Sequence, residues 1–256
     1  MIIVLSFILK MQSTLPFKPI HVKQENSNLL NVWTWNINCI KNKKSLVEQL
    51  LKKHDVDILF LTETKIQEKD KVVFNHYTCI WNCNQTSYYH GVAFIYKSHL
   101  NVTLLTNALP HETQIINHFT DSKNNQMIKK YVDKIEGEIS KAHHTEGRLL
   151  AIQCDQIIIV GTYSPNSGVN KNEPLKRLAY RTLAWDKDLH HYLNQLKEHH
   201  HVIWTGDLNV IMKDNDVLNV KANIAGTTEE ERTNMETFMV DWIDAWDTKN
   251  NVQKSR

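Results

Sequence analysis

Short apolar runs that stop abruptly at polar residues alternate along this chain with segments whose apolar residues follow helical spacing. Residues 29–38 (LLNVWTWNIN) are rich in β-branched and aromatic side chains and predict a buried strand. Residues 45–54 (SLVEQLLKKH) place their apolar side chains on one helical face, and residues 55–64 (DVDILFLTET) predict a second strand. A strand, a helix and a strand in such close succession form a crossover unit, so the two strands are expected to run parallel.

The later apolar runs predict more strands of the same kind. Residues 90–98 (HGVAFIYKS) form one, and residues 147–166 (GRLLAIQCDQIIIVGTYSPN) predict two strands joined by a turn near Asp155. Residues 201–210 (HVIWTGDLNV) end their apolar run in a polar Gly-Asp-Leu-Asn. Strands that alternate with helices favour an α/β architecture.

Helical periodicity is strongest in residues 174–197, where Pro174 suits a first helical position and the apolar residues form one stripe. A further helix is predicted for residues 233–247 (TNMETFMVDWIDAWD). Residues 106–147 are polar and weakly periodic, and we expect a long surface excursion there with one short helix near 126–139.

Polar residues follow four of the predicted strands at their carboxyl ends. Because parallel strands finish on the same edge of a sheet, Asn36 and Glu63 are expected to be neighbours. Each such residue alone is also typical of a turn, since Asp and Asn bond their own backbone. If the ends share one edge, however, they supply the oxygen ligands that Mg²⁺ prefers and suit phosphodiester hydrolysis. The residues concerned are Asn36, Asn38, Glu63, Tyr163, Asn166, Asp207 and Asn209.

Composition and charge limit the kind of partner and the number of domains that this chain can have. The 256 residues carry 30 Lys plus Arg against 28 Asp plus Glu, a net charge of +2, which permits a polyanionic partner without requiring one. Neither repeats nor a Gly/Ser linker divides the chain, so we predict one domain over residues 31–256 after a poorly ordered leader, residues 1–30. The apolar start of that leader is too short to span a membrane.

Four scattered cysteines favour reduced thiols over a disulfide framework, and hence an intracellular protein, nuclear or cytoplasmic.

In their order along the chain, WTWNIN, DILFLTETK, GVAFIYKS, EGRLLAI, GTYSPNSG, YRTLAWDKDLHHYL, VIWTGDLNV and AGTTEEER resemble the exonuclease III type of AP (apurinic/apyrimidinic) endonuclease. That type belongs to the endonuclease/exonuclease/phosphatase superfamily, and the resemblance covers roughly residues 31–247. It implies a four-layer αββα sandwich of the DNase I-like type, with two sheets face to face and helices outside.

The resemblance also implies a function. A protein of this type is a monomeric, Mg²⁺-dependent DNA repair enzyme that does not act at a membrane. Its partner is double-stranded DNA with abasic sites, which it cuts 5′ of the lesion. Mn²⁺ is the alternative ion, and 3′-5′ exonuclease or 3′-phosphodiesterase activity is the expected side reaction.

Carried over position by position, the resemblance assigns roles to individual residues. It implies metal binding by Glu63, Asn36 and Asn38, contact with the scissile phosphate by Tyr163, and alignment of the attacking water by Asp207 with Asn209. It places Lys41, Tyr89 and Asn166 on the DNA-binding side, with Asn166 and Arg148 also supporting the loop after Tyr163. Arg181 also matches a DNA-side motif position, but for Arg181 and Arg232 a structural ion pair is an equal alternative.

The chain departs from the family pattern after residue 247. Relatives continue with a segment that supplies a catalytic His, its orienting Asp and another metal-site Asp, whereas this chain reads TKNNVQKSR. We therefore expect a C-terminally truncated domain with an exposed sheet edge and weakened catalysis. An inactive relative that only binds DNA or a partner is the alternative. A retroelement endonuclease is disfavoured by AGTTEEER, and His199–His201 stand at the wrong end of their strand to replace the missing His.

Overall fold

Two β-sheets packed face to face, with helices on both outer sides, make up the protein. The computed structural model describes residues 3–6, 20–23, 29–112, 124–168, 171–216, 221 and 223–245. A core of apolar side chains lies between the sheets, and two further cores join each sheet to its own helices. This is the expected four-layer αββα sandwich.

One sheet has five strands in the spatial order β2-β3-β4-β6-β5. They are β2 (Ile20–Lys23), β3 (Leu29–Asn36), β4 (Ile58–Thr62), β5 (Tyr77–Asn82) and β6 (Val92–Lys97). β3 and β4 run parallel with Asn36 opposite Thr62, so the predicted crossover unit is confirmed. Asn36 and Glu63 therefore reach the same edge of this sheet.

The other sheet has six strands in the order β11-β1-β10-β9-β8-β7. They are β1 (Ile3–Ser6), β7 (Val102–Thr106), β8 (Leu149–Cys154), β9 (Ile157–Tyr163), β10 (His201–Asp207) and β11 (Ile243–Asp244). β9 and β10 run parallel with Tyr163 opposite Asp207. The two residues therefore end at the same edge, while His201 begins its strand at the opposite edge, as predicted.

Two short strands within residues 1–30, β1 and β2, contribute one strand to each sheet. β1 pairs in parallel with β10, and β2 pairs antiparallel with β3. The β-branched Ile3, Val4, Ile20 and Val22 suit these strands. β1 pairs along the side of β10 that faces away from β9. The remainder of residues 1–28 lies outside the described residues.

The helices divide between the two outer faces. Val47 and Leu51 of α1 (Lys44–Lys53) pack on the five-stranded sheet. The six-stranded sheet is covered by α2 (Asn125–Tyr131), α3 (Ile135–Ala142), α4 (Leu178–Tyr180), α5 (Asp186–Lys197) and α6 (Glu229–Met239). Arg181–Trp185 form a π-helical turn that joins α4 to α5. No helix in the described part of the chain combines the length and apolar character needed to cross a membrane.

The segment expected as a surface excursion is partly core. Ile128, Tyr131, Ile135 and Ile139 are buried against the six-stranded sheet. Their spacing of three and four residues is helical, but the lysines and acidic residues between them hide it in a reading by average polarity. The predicted helix at 126–139 corresponds to α2 and α3, and residues 113–123 lie outside the described residues.

The last predicted helix begins earlier and ends earlier than its apolar pattern suggested. Thr228 caps α6, because its hydroxyl accepts from the Glu231 backbone while the Glu231 carboxylate accepts from the Thr228 backbone. After Met239 the chain turns, and Ile243–Asp244 form β11 instead of further helix. Residues 246–256 lie outside the described residues.

All four cysteines are free thiols, in agreement with the sequence.

The contact between the sheets leaves no room for a side chain at Gly161. A Cβ atom there would lie 2.2 Å from the Phe60 ring, which packs on Phe94 with ring centroids 4.7 Å apart. We expect Gly161→Ala to lower the free energy of unfolding by about 1–3 kcal/mol, because the ring must leave its place in the core. Urea denaturation measures the change.

Gly137 is the matched control, since it lies within α3 and a Cβ atom there would meet nothing within 4 Å. Gly137→Ala is expected to raise the free energy of unfolding by about 0.5–1 kcal/mol. A cost for Gly161→Ala as small as that of a surface change would contradict the tight packing between the sheets.

Candidate active site

The side-chain amide of Asn36 links two carboxylates that come from different sheets. Its Nδ2 donates to Glu63 Oε1 at 2.9 Å and to Asp207 Oδ2 at 2.8 Å. Asn36 ends β3, Glu63 follows β4, and Asp207 ends β10. The expectation that polar strand ends meet is therefore confirmed for these three residues, and they meet across the two sheets.

Glu63 is held by three donors. Besides the Asn36 amide, the Tyr163 hydroxyl donates to Oε1 at 3.1 Å and Lys65 Nζ lies 2.8 Å from Oε2. Burial raises the pKa of this carboxyl, but the hydrogen bonds from Asn36, Lys65 and Tyr163, together with the Lys65 charge, lower it further than burial raises it. The net pKa lies below the usual value, so Glu63 is an anion at neutral pH.

The lowered pKa of Glu63 links stability to pH. A carboxyl whose folded-state pKa is depressed adds stability that is present above its ordinary pKa of 4.5 and is lost as the pH falls through the folded value. We expect Glu63→Gln to flatten the fall of the unfolding free energy with pH in the window below 4.5. Urea unfolding of both proteins at several acidic pH values measures it, and identical slopes would contradict the assignment.

Asp207 is buried, with 6% of its surface exposed. Its Oδ1 accepts from the backbone N–H of Asn209 at 3.1 Å, and the Asn209 side-chain amide donates to the Ser164 carbonyl at 2.7 Å. Burial raises the pKa of Asp207, as does the nearby Glu63 charge, against the opposing hydrogen bonds from Asn36 and Asn209. This carboxylate is therefore more basic than an exposed one.

Tyr163 lies between the carboxylates and a cationic cluster. The Arg148 guanidinium lies 4.9 Å from the centroid of the Tyr163 ring and donates to the Tyr163 carbonyl at 3.1 Å. Arg148 in turn pairs with Glu146, whose pKa falls to about 2 because the Arg148 and Arg177 charges outweigh its burial. Burial raises the pKa of the Tyr163 hydroxyl well above its usual range, with the Glu63 charge adding to the rise, so it remains a hydrogen-bond donor.

The oxygen atoms gathered here fit a hard divalent cation. Glu63 and Asp207 each present a carboxylate, and Mg²⁺ is commonly bound by one or two carboxylates with water in its other positions. The contribution of Asn38 to a cation site is less direct than expected, because its side chain is exposed and its Oδ1 accepts a hydrogen bond from Lys65 Nζ at 2.6 Å. Lys65 Nζ thus joins Asn38 to Glu63 Oε2.

Three of the residues expected to face DNA lie around this centre with different exposures. Tyr89 is 68% exposed. Lys41 lies 4.5 Å from the Tyr88 ring centroid and forms a partly exposed ion pair with Asp70 at 3.4 Å. Asn166 accepts from the backbone of Gly168 at 2.9 Å, which shapes the loop after β9. Lys41 and Tyr89 are thus accessible to a ligand, whereas Asn166 acts within its loop.

Arg181 departs from the expected contact with DNA. The residue is 1% exposed, and its guanidinium donates to Asp186 Oδ1 at 2.7 Å and to the carbonyls of Pro165 and Leu208 at 2.7 and 2.8 Å. Arg181 therefore forms the structural ion pair that was the alternative to contact with DNA, and it connects the loops that follow β9 and β10. The π-helical turn begins at this residue, and the helix begins at Leu178, four residues after Pro174.

Arg232 also forms the ion pair that was its alternative reading. Both its terminal nitrogens lie 3.0 Å from Asp214 Oδ1, and this Asp214 side chain is 70% exposed.

Two residues at the centre were not assigned a role from the sequence. Lys65 stands two positions after Glu63 in TETK, and this proximity in sequence is the signal that could have identified it. His90 is the second of these residues, and its ring lies 5.8 Å from the Tyr163 ring and 3.2 Å from Arg148 Nη2. Burial and the Arg148 charge lower the pKa of His90 to about 3, so its imidazole is neutral.

Comparisons with known proteins identify the family of this chain and its relatives. The model of the Endonuclease/Exonuclease/phosphatase family matches residues 33–248. A DNA-(apurinic or apyrimidinic site) endonuclease from Dictyostelium discoideum is 31% identical over 220 residues, which are 83% of this chain and 51% of that protein. An exodeoxyribonuclease from Bacillus subtilis is 27% identical over 211 residues, 80% of this chain and 69% of that protein.

Solved structures show the same fold. An AP endonuclease from Leishmania major gives a TM-score of 0.58 at 22% identity, covering 81% of this chain and 64% of that one. An AP endonuclease from Archaeoglobus fulgidus gives 0.55 at 19% identity, covering 82% and 70%. The chain thus spans about half the length of the Dictyostelium relative and about two thirds of each structural relative. It belongs to the endonuclease/exonuclease/phosphatase family and is similar to the exonuclease III-type AP endonucleases within it.

Proposed function

We propose that this chain is a divalent-metal-dependent DNA repair nuclease that hydrolyses the phosphodiester on the 5′ side of an abasic site. The observation that carries the proposal is the Asn36 amide, which holds Glu63 and Asp207 together from the two sheets. Two carboxylates held close together repel each other, so a site that brings the partly buried Glu63 and the buried Asp207 to one amide favours a cation beside them. Mg²⁺ is the ion proposed, with Mn²⁺ as a substitute.

Each residue of the centre has a chemical task in this proposal. Glu63, with Asn36 and Asn38 beside it, would hold the ion, which neutralises charge that develops on the phosphate. Asp207 accepts a proton from the attacking water, and its raised pKa makes it a better base than an exposed aspartate. Asn209 fixes the orientation of that carboxylate through its backbone N–H. The Tyr163 hydroxyl, which donates to Glu63 Oε1 in this structure, would donate to a phosphate oxygen of the bound substrate.

DNA as the substrate is supported by the names of the relatives and by the surroundings of the centre. The Dictyostelium relative is named as an endonuclease of apurinic or apyrimidinic sites and the Bacillus relative as an exodeoxyribonuclease. The exposed Tyr89 and the partly exposed Lys41 suit contact with a sugar-phosphate backbone. A 3′-5′ exonuclease or 3′-phosphodiesterase activity needs the same centre and is proposed as a side reaction.

Nicking of an end-labelled duplex with one abasic site tests the proposal. We expect Mg²⁺-dependent cleavage 5′ of the lesion that leaves a 3′-hydroxyl, and no cleavage of the matched duplex without the lesion. Removal of the ion with a chelator stops the reaction, and Mn²⁺ restores it. Binding of the abasic duplex without any cleavage under Mg²⁺ or Mn²⁺ would refute the proposal and favour a protein that only binds DNA.

A further inference from the structure

A second group of ligand-type side chains lies in the helical layer over the six-stranded sheet. His143 follows α3, Asp188 belongs to α5, and His111 comes from the connection after β7. Asp188 Oδ2 lies 2.9 Å from His143 Nε2 and 2.7 Å from His111 Nδ1. One ligand atom from each residue lies within 4.8 Å of the other two. Among the described residues, no other group of three His, Cys, Asp or Glu side chains is arranged in this way.

The group is buried on one side and open on the other. The side chains of His143 and Asp188 are 0% exposed, whereas that of His111 is 34% exposed. An ion could therefore enter past His111 and keep water on that side. Buried imidazole and carboxylate groups that share one oxygen atom need either shared protons or a cation to offset the carboxylate charge.

The surroundings already orient the two buried ligands. His143 Nδ1 lies 3.0 Å from the buried Tyr180 hydroxyl, so the opposite ring nitrogen is fixed toward Asp188. The second Asp188 oxygen lies 3.4 Å from the Glu112 backbone nitrogen. Such outer partners fix the orientation of metal ligands in known sites.

We propose that His111, His143 and Asp188 form a binding site for a borderline first-row divalent cation of the Zn²⁺ class. Two imidazole nitrogens and one carboxylate oxygen are a ligand set that Zn²⁺ accepts together with water, whereas Mg²⁺ and Ca²⁺ prefer oxygen ligands alone. The ion takes the place of the protons that Asp188 shares with the two imidazoles. Since hydrogen-bond distances are shorter than the spacing of ligands around an ion, the partly exposed His111 is the residue that moves.

This site is separate from the phosphodiesterase centre in residues and in ligand chemistry. It would join the chain after β7 to α3 and α5, and so fasten the helical layer. Zinc binding is therefore measured without DNA and does not depend on whether the chain nicks DNA.

Zinc titration of the full-length chain tests the proposal. His199→Gln/His200→Gln serves as the background, because the histidine run at 199–201 can itself bind transition metals. After chelator treatment, isothermal titration with ZnCl₂ is expected to show one tight site that His111→Ala weakens, together with a raised Tm. Titration with MgCl₂ is expected to give the same result with or without His111→Ala, because Mg²⁺ does not bind at this cluster. CoCl₂ is expected to give the visible absorption of a four- or five-coordinate nitrogen and oxygen site.

Variants separate the cluster from other histidines. His111→Ala is expected to weaken Zn²⁺ binding at least about 100-fold, and the conservative Tyr180→Phe about 10–100-fold. His144→Gln is the control, since His144 is exposed and adjacent to His143. Its affinity should match the background. No stoichiometric Zn²⁺ binding, or equal affinities for His111→Ala and His144→Gln, would overturn the proposal and leave the trio as a metal-free ion pair.

Discussion

Asp207→Asn is expected to lower the rate of abasic-site nicking about 100- to 10,000-fold while the protein still folds and binds DNA. The contribution of a positioned general base to a hydrolytic rate is of that size. Asparagine keeps the shape of the side chain and one acceptor oxygen for Asn209, but it cannot accept a proton from water. Single-turnover nicking with enzyme in excess measures the rate, and a gel-shift titration of the abasic duplex measures binding.

Asp241→Asn is the matched control for this change. The Asp241 side chain is 70% exposed and pairs with Lys197 at 3.3 Å, so its replacement should leave the nicking rate unchanged. A rate for Asp207→Asn within about threefold of the control would mean that Asp207 is not the base, since far larger effects are typical of that role. A parallel loss of DNA binding would assign Asp207 to affinity instead.

Arg181→Met is expected to lower the free energy of unfolding by about 3–5 kcal/mol. Removing one partner of a buried ion pair leaves the other charge uncompensated, and costs of that size are measured for such changes. Here Asp186 would lose its guanidinium partner, and the carbonyls of Pro165 and Leu208 would lose their donor. Urea denaturation followed by far-UV circular dichroism measures the loss.

Two further variants check the cause of that loss. Arg181→Met/Asp186→Asn removes the uncompensated carboxylate and is expected to regain part of the stability. Arg232→Ala breaks a more exposed pair with Asp214 and should cost no more than about 1 kcal/mol. Equal costs for Arg181→Met and Arg232→Ala would contradict a buried structural role for Arg181 and would reopen the reading in which it contacts DNA.

The sequence predicted the strands that carry the site residues better than the contact between these residues across the two sheets. Apolar runs of β-branched residues followed by Asn36, Glu63 and Asp207 mark buried strands with polar ends, and parallel pairing brings such ends to one edge. That reasoning holds within each sheet. It does not determine that Asn36 reaches Asp207, because their contact crosses from one sheet to the other and depends on how the sheets pack.

Hydrophobic periodicity also failed to predict burial in helices whose polar and apolar residues lie on different faces. The Lys-rich segment around Ile128 and Ile135 has low average hydropathy, but its apolar face belongs to the core. Arg181 shows the converse case: a cation in a helical pattern reads as exposed, and only the tertiary structure shows three buried acceptors around it. The π-helical turn that starts there has no signature in local spacing.

The short strands near the amino terminus were not predicted, for a related reason. A four-residue strand such as Ile3–Ser6 has no periodicity of its own, and it exists through pairing with β10, which is distant in sequence. Pairing partners of this kind are set by the whole fold.

The most direct test compares the dependence of nicking on Mg²⁺ concentration between the wild-type chain and Glu63→Gln. It tests the claim that one metal-dependent phosphodiesterase centre is formed by Asn36, Glu63, Tyr163 and Asp207. The abasic duplex, its lesion-free counterpart and a chelator blank complete the measurement. We predict saturable, Mg²⁺-dependent nicking by the wild-type chain and a Glu63→Gln curve that is shifted to much higher Mg²⁺ and reaches a lower plateau. Superimposable curves, or nicking that persists in the chelator, would contradict the assignment of this centre.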